Sequence, residues 1–112
     1  MIYDHQRDIE SLTPDFTKLL HTDARGVIVS APGEKVDFVS RFFAPQVGIN
    51  EDPVTGSAHT TLTPYWSERL DKKRMKAQQL SARKGELVCE LSGDRVKISG
   101  KAVTYLIGEI FF

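Results

Sequence analysis

Apolar residues in the first part of the chain recur at helical spacing. They occupy five positions: Ile9, Leu12, Phe16, Leu19 and Leu20. Thr13 can cap a turn whose first helical residue is Pro14, because a proline at that position loses no hydrogen bond. The pattern therefore predicts a helix that is broken or restarted near Thr13. Two short apolar runs follow at residues 26–31 and 36–44, on either side of a Pro-Gly turn dipeptide, and they predict a β-hairpin.

The period changes after Pro53. Four apolar residues now lie four positions apart on one helical face: Ala58, Leu62, Trp66 and Leu70. This spacing predicts a second helix over residues 55–70. Pro64 lies inside it, where it removes one backbone hydrogen bond and crowds the carbonyl of Thr60. A kink, or a restart at Thr63, is therefore expected.

The last third of the chain has β character. Its four apolar runs are residues 75–81, 86–91, 95–99 and 102–110, separated by the turn-compatible pairs Lys84-Gly85, Gly93-Asp94 and Gly100-Lys101. Such close spacing favours antiparallel neighbours. The order of elements predicts an α+β fold with a single domain, residues 1–112. In that fold a mostly antiparallel sheet packs on, or wraps around, a central helix that begins near Thr55.

Composition excludes several classes of function. Fifteen basic residues balance fifteen acidic ones, so no overall field draws the chain to nucleic acid or to an anionic membrane. A local basic excess in residues 68–84 lacks interleaved aromatic residues, and a solvated surface is the simpler explanation. No signal pattern opens the chain, and no apolar run approaches the roughly 20 residues that span a bilayer. The chain is therefore predicted to be cytoplasmic, with no nucleic acid or membrane partner.

The residues that most often bind metals are few and scattered. Cys89 is the single cysteine, which rules out an intramolecular disulfide and a multi-cysteine metal site. Because it lies in the middle of a predicted strand, we expect a buried and inert thiol. His5 and His21 lack partners at ligand spacing, so no metal site is predicted. His59 is equally compatible with a cleft-facing and a structural role, and its role stays open.

The junction before the second helix carries the most chemical information. Asp52-Pro53 forms a rigid turn that delivers Thr55, Gly56 and Ser57 to the first helical turn, where backbone N–H groups lack intrahelical partners and the helix dipole is positive. Gly56 has no Cβ, so a carboxylate or phosphate can approach these amides, and the hydroxyls of Thr55 and Ser57 can add donors. The competing interpretation is ordinary capping, in which these side chains only satisfy the helix's own donors. Local chemistry alone favours capping.

Three stretches resemble a known family. SRFFAPQVGINEDPVTGSAHTTLTPYWSERL, residues 40–70, is similar to the signature of the C-terminal lobe of PhzF-like (phenazine-biosynthesis-like) isomerases. QLSARKGELVCEL and GDRVKISGKAVTYLIGEI resemble the strands that follow it. The resemblance begins near Ile9 and implies the diaminopimelate-epimerase-like fold. In that fold two similar lobes each wrap antiparallel strands around a central helix, and the ligand lies between the lobes, facing the helix N-termini.

The resemblance also implies roles for the residues of this junction. Asp52, as the catalytic residue, would contact polar substituents of the substrate. Thr55, Gly56 and Ser57 would form the substrate-binding loop, with Gly56 and Ser57 donating to a carboxylate. In phenazine-pathway members a glutamate of the N-terminal lobe shuttles the proton that isomerises a dihydro-hydroxyanthranilate, without a cofactor, and no residue here can stand in for it. Related epimerases use one cysteine per lobe, whereas Thr55 or Ser57 occupies that region here, which excludes a two-thiol mechanism.

The predicted function is therefore one half of a PhzF-like cofactor-independent isomerase. It would bind a small carboxylate-bearing molecule or an inorganic anion, without the glutamate base. The alternative is a stand-alone, non-catalytic anion-binding or interaction protein. In both cases residues 36–43 and 106–112 offer more large apolar side chains than one small core easily hides. The missing N-terminal lobe, or a second copy in a two-fold homodimer, could cover them. The alternatives are a monomer and a dimer formed through an unrelated edge strand.

Overall fold

The computed structural model describes residues 1–112 as three α-helices, one short 3-10 helix and five strands. In chain order these are α1 (Gln6–Glu10), α2 (Phe16–Leu19), β1 (Val27–Pro32), β2 (Phe38–Phe43), the 3-10 helix (Pro45–Val47), α3 (Gly56–Leu70), β3 (Arg74–Gln79), β4 (Gly85–Ser92) and β5 (Arg95–Ser99). The predicted hairpin, the long helix and three of the four C-terminal strands are confirmed.

The strands form one sheet in the order β1-β2-β3-β4-β5. Neighbouring strands are antiparallel except β2 and β3, which are parallel. Helix α3 connects these two strands, and parallel neighbours need a crossover connection of this kind. The mostly antiparallel sheet is confirmed. Its one parallel pair could not be recognised from turn signals, because it depends on where the crossover helix returns the chain.

Different helices cover the two faces of the sheet. Trp66 of α3 is fully buried against one face and stacks on Phe38, with 5.8 Å between ring centroids. On the other face α1 buries Ile9 beside Val39. Phe38 and Val39 are consecutive, so the pleat of β2 sends them to opposite faces. The expectation that residues 36–43 leave an exposed apolar surface is therefore wrong, because two helical layers bury both sides of β2.

The N-terminal helical segment is divided as expected, but the second helix begins later. Helix α2 starts at Phe16, and its N-cap is Asp15, whose carboxylate accepts a hydrogen bond from the Lys18 N–H at 3.1 Å. The predicted cap at Thr13 and helix start at Pro14 are therefore wrong. Asp15 is the residue whose side chain reaches the unpaired amides of the first turn, and a carboxylate there also suits the helix dipole.

Helix α3 is unbroken over its 15 residues although Pro64 lies inside it. The predicted restart at Thr63 is wrong. Pro64 and Thr60 are both exposed, so the Thr60 carbonyl that loses its partner can be solvated. Thr63 is buried, and its hydroxyl donates to the His59 carbonyl at 2.5 Å. Neither α3 nor any other helix is long and apolar enough to cross a membrane.

Residues 100–112, hereafter the C-terminal segment, adopt no secondary structure. Its large apolar side chains are 79–117% exposed: Val103, Tyr105, Leu106, Ile107, Ile110, Phe111 and Phe112. The predicted strand over residues 102–110 is therefore wrong. An apolar run becomes a strand only where it pairs with a neighbouring strand and has a surface to cover. The predicted exposure of residues 106–112 is confirmed.

Candidate functional site

The loop between β2 and α3 is held at its start by Arg41 of β2. The guanidinium forms a bidentate pair with Glu51, at 2.7 Å from Nε to Oε1 and 3.0 Å from Nη2 to Oε2. The Arg41 side chain is only 12% exposed. Its Nη1 also donates to the carbonyls of Ile9 and Leu12, each at 2.9 Å. One side chain therefore ties the loop to β2 and to the end of α1.

The end of the loop is held by β3 and the residues after it. Gln79 is fully buried, and its Oε1 accepts from the Thr55 N–H at 2.7 Å. Its Nε2 donates to the Asp52 carbonyl at 2.7 Å and to Thr55 Oγ1 at 3.1 Å. The Ser81 hydroxyl donates to the Pro53 carbonyl at 2.9 Å. These bonds satisfy the polar groups that the loop brings towards the interior.

A glycine allows the loop to lie close to β4. A Cβ added at Gly85 would collide with Cγ2 of Val54, the residue between the Asp52-Pro53 turn and Thr55. Any side chain at this position would force the Val54 side chain to shift. The absence of a side chain at Gly85 therefore helps to set the distance between the loop and the strand.

Asp52 and Thr55 are joined at the start of α3. The Thr55 hydroxyl donates to Asp52 Oδ2 at 2.5 Å. Thr55 is the N-cap residue, yet its side chain makes no capping hydrogen bond. Its amide and hydroxyl serve Gln79 and Asp52, so both donors of Thr55 are already engaged within the loop. The capping considered for Asp52 and Thr55 from sequence alone is therefore not formed.

Gly56 and Ser57 form the exposed part of the junction. A Cβ at Gly56 would meet no atom within 4 Å, so the space in front of this turn is open. The first amides of a helix have no intrahelical acceptor and lie at the positive end of its dipole. The structure thus brings these donors together with the half-buried carboxylate of Asp52, which Thr55 holds at the same end of α3.

His59 lies fully buried one turn further along α3. Its Nδ1 is 2.8 Å from the Thr55 carbonyl, and its Nε2 is 3.3 Å from Ser40 Oγ. A carbonyl can only accept, so Nδ1 carries the hydrogen and Nε2 accepts from the Ser40 hydroxyl. Burial lowers the pKa of His59, and the hydrogen bond to Thr55 offsets this only in part. His59 is therefore a neutral link between α3 and β2, which gives it a structural role.

Cys89 has a structural role as part of the packed core. The residue is fully buried on β4, as expected. Burial raises the pKa of its thiol, and a hydrogen bond with Thr63 opposes this shift more weakly. Because the thiolate is the reactive form, both burial and the raised pKa make Cys89 a poor nucleophile.

Ion pairs engage part of the basic cluster in residues 68–84. Lys72 lies 2.6 Å from Asp37, and Arg74 lies 2.8 Å from Glu90. Burial on its own would raise the pKa of Asp37. Hydrogen bonds from the Lys72 ammonium and the Lys76 N–H outweigh it, and the pKa is lowered. These two basic side chains therefore have acidic neighbours within the fold.

Three residues that fix the loop were not recognised from the sequence: Arg41, Gln79 and Ser81. Gln79 carried the clearest signal. In β3 the buried positions alternate as Met75, Ala77 and Gln79, so a glutamine occupies a position of the core-facing pattern. A buried carboxamide needs hydrogen-bond partners, and a nearby loop is one place where they can be found.

Comparisons with known proteins identify the family of this chain. The family described as "Phenazine biosynthesis-like protein" matches residues 2–108. An uncharacterized isomerase of Pseudomonas aeruginosa is 53% identical over 110 residues, which cover 98% of this chain and 42% of that protein. A phenazine biosynthesis-like domain-containing protein of Homo sapiens is 44% identical over 113 residues, which cover 91% of this chain and 39% of that protein.

Solved structures show the same fold. A crystal structure of a PhzC/PhzF protein from Clostridium difficile superposes with a TM-score of 0.89 at 44% identity, covering 100% of this chain and 44% of that one. A PhzF-family structure from Enterococcus faecalis gives a TM-score of 0.82 at 45% identity, covering 94% and 43%. The fold is therefore an α+β lobe of the diaminopimelate-epimerase-like type. The chain belongs to the PhzC/PhzF family of phenazine biosynthesis-like proteins, and it spans less than half the length of these relatives.

Proposed function

We propose that this chain supplies the anion-binding half of a PhzF-like active-site cleft for a cofactor-independent isomerisation. The observation that carries the proposal is the start of α3, where exposed Gly56 and Ser57 lie beside an Asp52 that Thr55 holds in place. A ligand carboxylate would accept hydrogen bonds from the first amides of the helix and from the Ser57 hydroxyl. Asp52 would accept a hydrogen bond from an amino or hydroxyl group of the same ligand. Thr55 would contribute by orienting Asp52.

In this proposal the base that moves the proton comes from outside residues 1–112. The hydroxyls of Thr55 and Ser57 are neutral and poorly suited to remove a proton from carbon. The relatives are more than twice as long as this chain, which covers 42% of the Pseudomonas aeruginosa isomerase. The isolated chain should therefore show no turnover of a dihydro-hydroxyanthranilate. Cofactor-free turnover that disappears in Asp52→Ala would contradict this.

The anion site is tested by covering its amides without repacking the protein. A leucine at Gly56 has open space for its Cβ, so Gly56→Leu should fold normally and shield the first turn of α3. Gly100→Leu is the matched control, because its Cβ would make only an ordinary contact, at 3.9 Å from the Glu86 carbonyl. Gly100 lines a separate cavity bordered by Lys35, Lys76 and Lys101, so weaker binding in this variant would place the sulfate there instead. By calorimetry, sulfate should bind at least about tenfold more weakly to Gly56→Leu and unchanged to Gly100→Leu. Equal affinity in the wild type and Gly56→Leu would count against the site.

The C-terminal segment favours a second candidate function, that of an anion-binding protein that works as an assembly of two lobes. Seven of its large apolar side chains are at least 79% exposed, which is unusual for a protein that acts alone. We propose that a second lobe of the same fold covers this segment, and that a second copy of the chain can take that place through a two-fold axis. The resulting cleft would contain two Asp52–Ser57 loops.

Light scattering of the isolated chain tests this assembly. A dimer is expected at micromolar concentration, and its contacts should enclose Ser57 together with the C-terminal segment. A strict monomer would remove the homodimer. So would a dimer that leaves Ser57 facing bulk solvent.

A further inference from the structure

Gln79 is the polar exception in the core-facing side of β3. It is fully buried, as are Met75 and Ala77 on the same side of the strand. A buried carboxamide destabilises a fold unless both its oxygen and its nitrogen are hydrogen-bonded. Every partner of the Gln79 side chain belongs to the junction before α3, either Asp52 or Thr55. The Gln79 side chain therefore forms hydrogen bonds only with this junction.

The orientation of the Gln79 amide is determined by one partner that can only donate a hydrogen bond and one that can only accept. The Thr55 N–H can only donate, so the atom that faces it must be Oε1. The Asp52 carbonyl can only accept, so the atom that faces it must be Nε2. A rotated amide would set oxygen against oxygen and N–H against N–H. The second hydrogen of Nε2 is then directed to Thr55 Oγ1.

This orientation is consistent with the direction of the Thr55 hydroxyl, which donates to a carboxylate that can only accept. Its oxygen already accepts from Gln79, so its one hydrogen is available for Asp52 Oδ2, at 2.5 Å. Oδ2 is consequently held as an acceptor. The other carboxylate oxygen, Oδ1, makes no hydrogen bond within the chain and remains for a ligand.

We propose that Gln79 is a positioning residue for this site. Acting through Thr55, it orients Asp52 so that Oδ1 meets a hydrogen-bond donor of a ligand whose carboxylate lies on the amides of Gly56 and Ser57. The inference rests on the function proposed above, and it adds a source of selectivity. Ligands that carry an N–H or O–H donor beside the carboxylate are preferred, and the preference depends on a buried residue that does not touch them.

The test compares two probes that differ by one donor, 2-aminobenzoate and benzoate, by calorimetry on the full chain. The wild type should prefer 2-aminobenzoate by about tenfold, the effect of one hydrogen bond to a charged group. Gln79→Met and Thr55→Val, both close to isosteric, should reduce this ratio to about one. Thr55→Ser keeps the hydroxyl and should retain the preference. Gln78→Met, a half-buried neighbour outside the network, is the matched control.

A ratio that keeps its wild-type value in Gln79→Met and Thr55→Val would overturn the positioning role. Should Gln79→Met fail to fold, Thr55→Val alone decides. If neither probe binds the wild type, the proposed function fails, and the positioning role is decided on the free protein from the ¹³C resonance of the Asp52 carboxylate. That resonance should move together in Gln79→Met and Thr55→Val and stay in place in Thr55→Ser and Gln78→Met. No movement in the first two variants would overturn the inference.

Discussion

Two regions of the chain have strong local sequence patterns: the loop that precedes α3, and the C-terminal segment. Only the loop is held in place by other elements of the fold. The loop between Glu51 and Thr55 is bonded to Arg41 on one side and to Gln79 and Ser81 on the other. The C-terminal segment has an apolar pattern and forms no strand. The contrast shows that a local pattern becomes structure only where another element satisfies its polar groups or covers its apolar ones.

The largest expected difference is between an aromatic residue on the buried face of α3 and one in the C-terminal segment. Trp66 is fully buried, and its indole N–H donates to Ser30 Oγ at 2.8 Å, whereas Phe111 is 88% exposed. Trp66→Ala should lower the free energy of unfolding by about 3–5 kcal/mol in urea denaturation. At protein concentrations low enough to keep the chain monomeric, Phe111→Ala should change it by less than about 0.5 kcal/mol. Similar losses from both variants would break the comparison, because they would mean that the segment packs on the lobe in solution.

The next effect concerns the anchor at the start of the loop. Arg41→Met leaves the Glu51 carboxylate and the carbonyls of Ile9 and Leu12 without their donor, so a loss of about 2 kcal/mol in the free energy of unfolding is expected. Arg74→Met is the matched control. It removes a cross-strand pair with Glu90 in which the arginine side chain is 69% exposed, and it should cost less than about 1 kcal/mol. If the two variants are equally stable, Arg41 does not fix the loop.

The two regions also differ in how much of their structure could be predicted from the sequence. The hairpin and helix α3 could be predicted, because spacing and turn residues are local signals. The binding roles of Asp52, Thr55, Gly56 and Ser57 stay predictions. The anchoring by Arg41 and Gln79 could not be predicted, because their partners lie at least ten positions away along the chain and become neighbours only in the folded structure. The strand predicted for residues 102–110 failed for the converse reason, since its apolar pattern is local but no strand of this lobe pairs with it.

The smallest expected effect is a pH dependence from His59, which lies beneath the loop. Burial sets its folded-state pKa below the ordinary value of 6.5, so the unfolded chain binds the proton more readily. Its contribution to stability is therefore complete above that pH and is lost as the pH falls from it towards the folded-state pKa. The free energy of unfolding should decrease in this window by at most about 1.4 kcal/mol per pH unit. His59→Gln should remove that slope, and an unchanged slope would show that another group is responsible.

The central claim, that the start of α3 binds anions, is tested most directly by following backbone amide resonances while sulfate is added to the ¹⁵N-labelled chain. We predict that the largest saturable shifts occur at Gly56 and Ser57, with none in the C-terminal segment. A cavity bordered by Lys35, Lys76 and Lys101 beside β3, β4 and β5 offers positive charge without a helix N-terminus. Shifts confined to that surface, or no saturable shifts at all, would contradict the account.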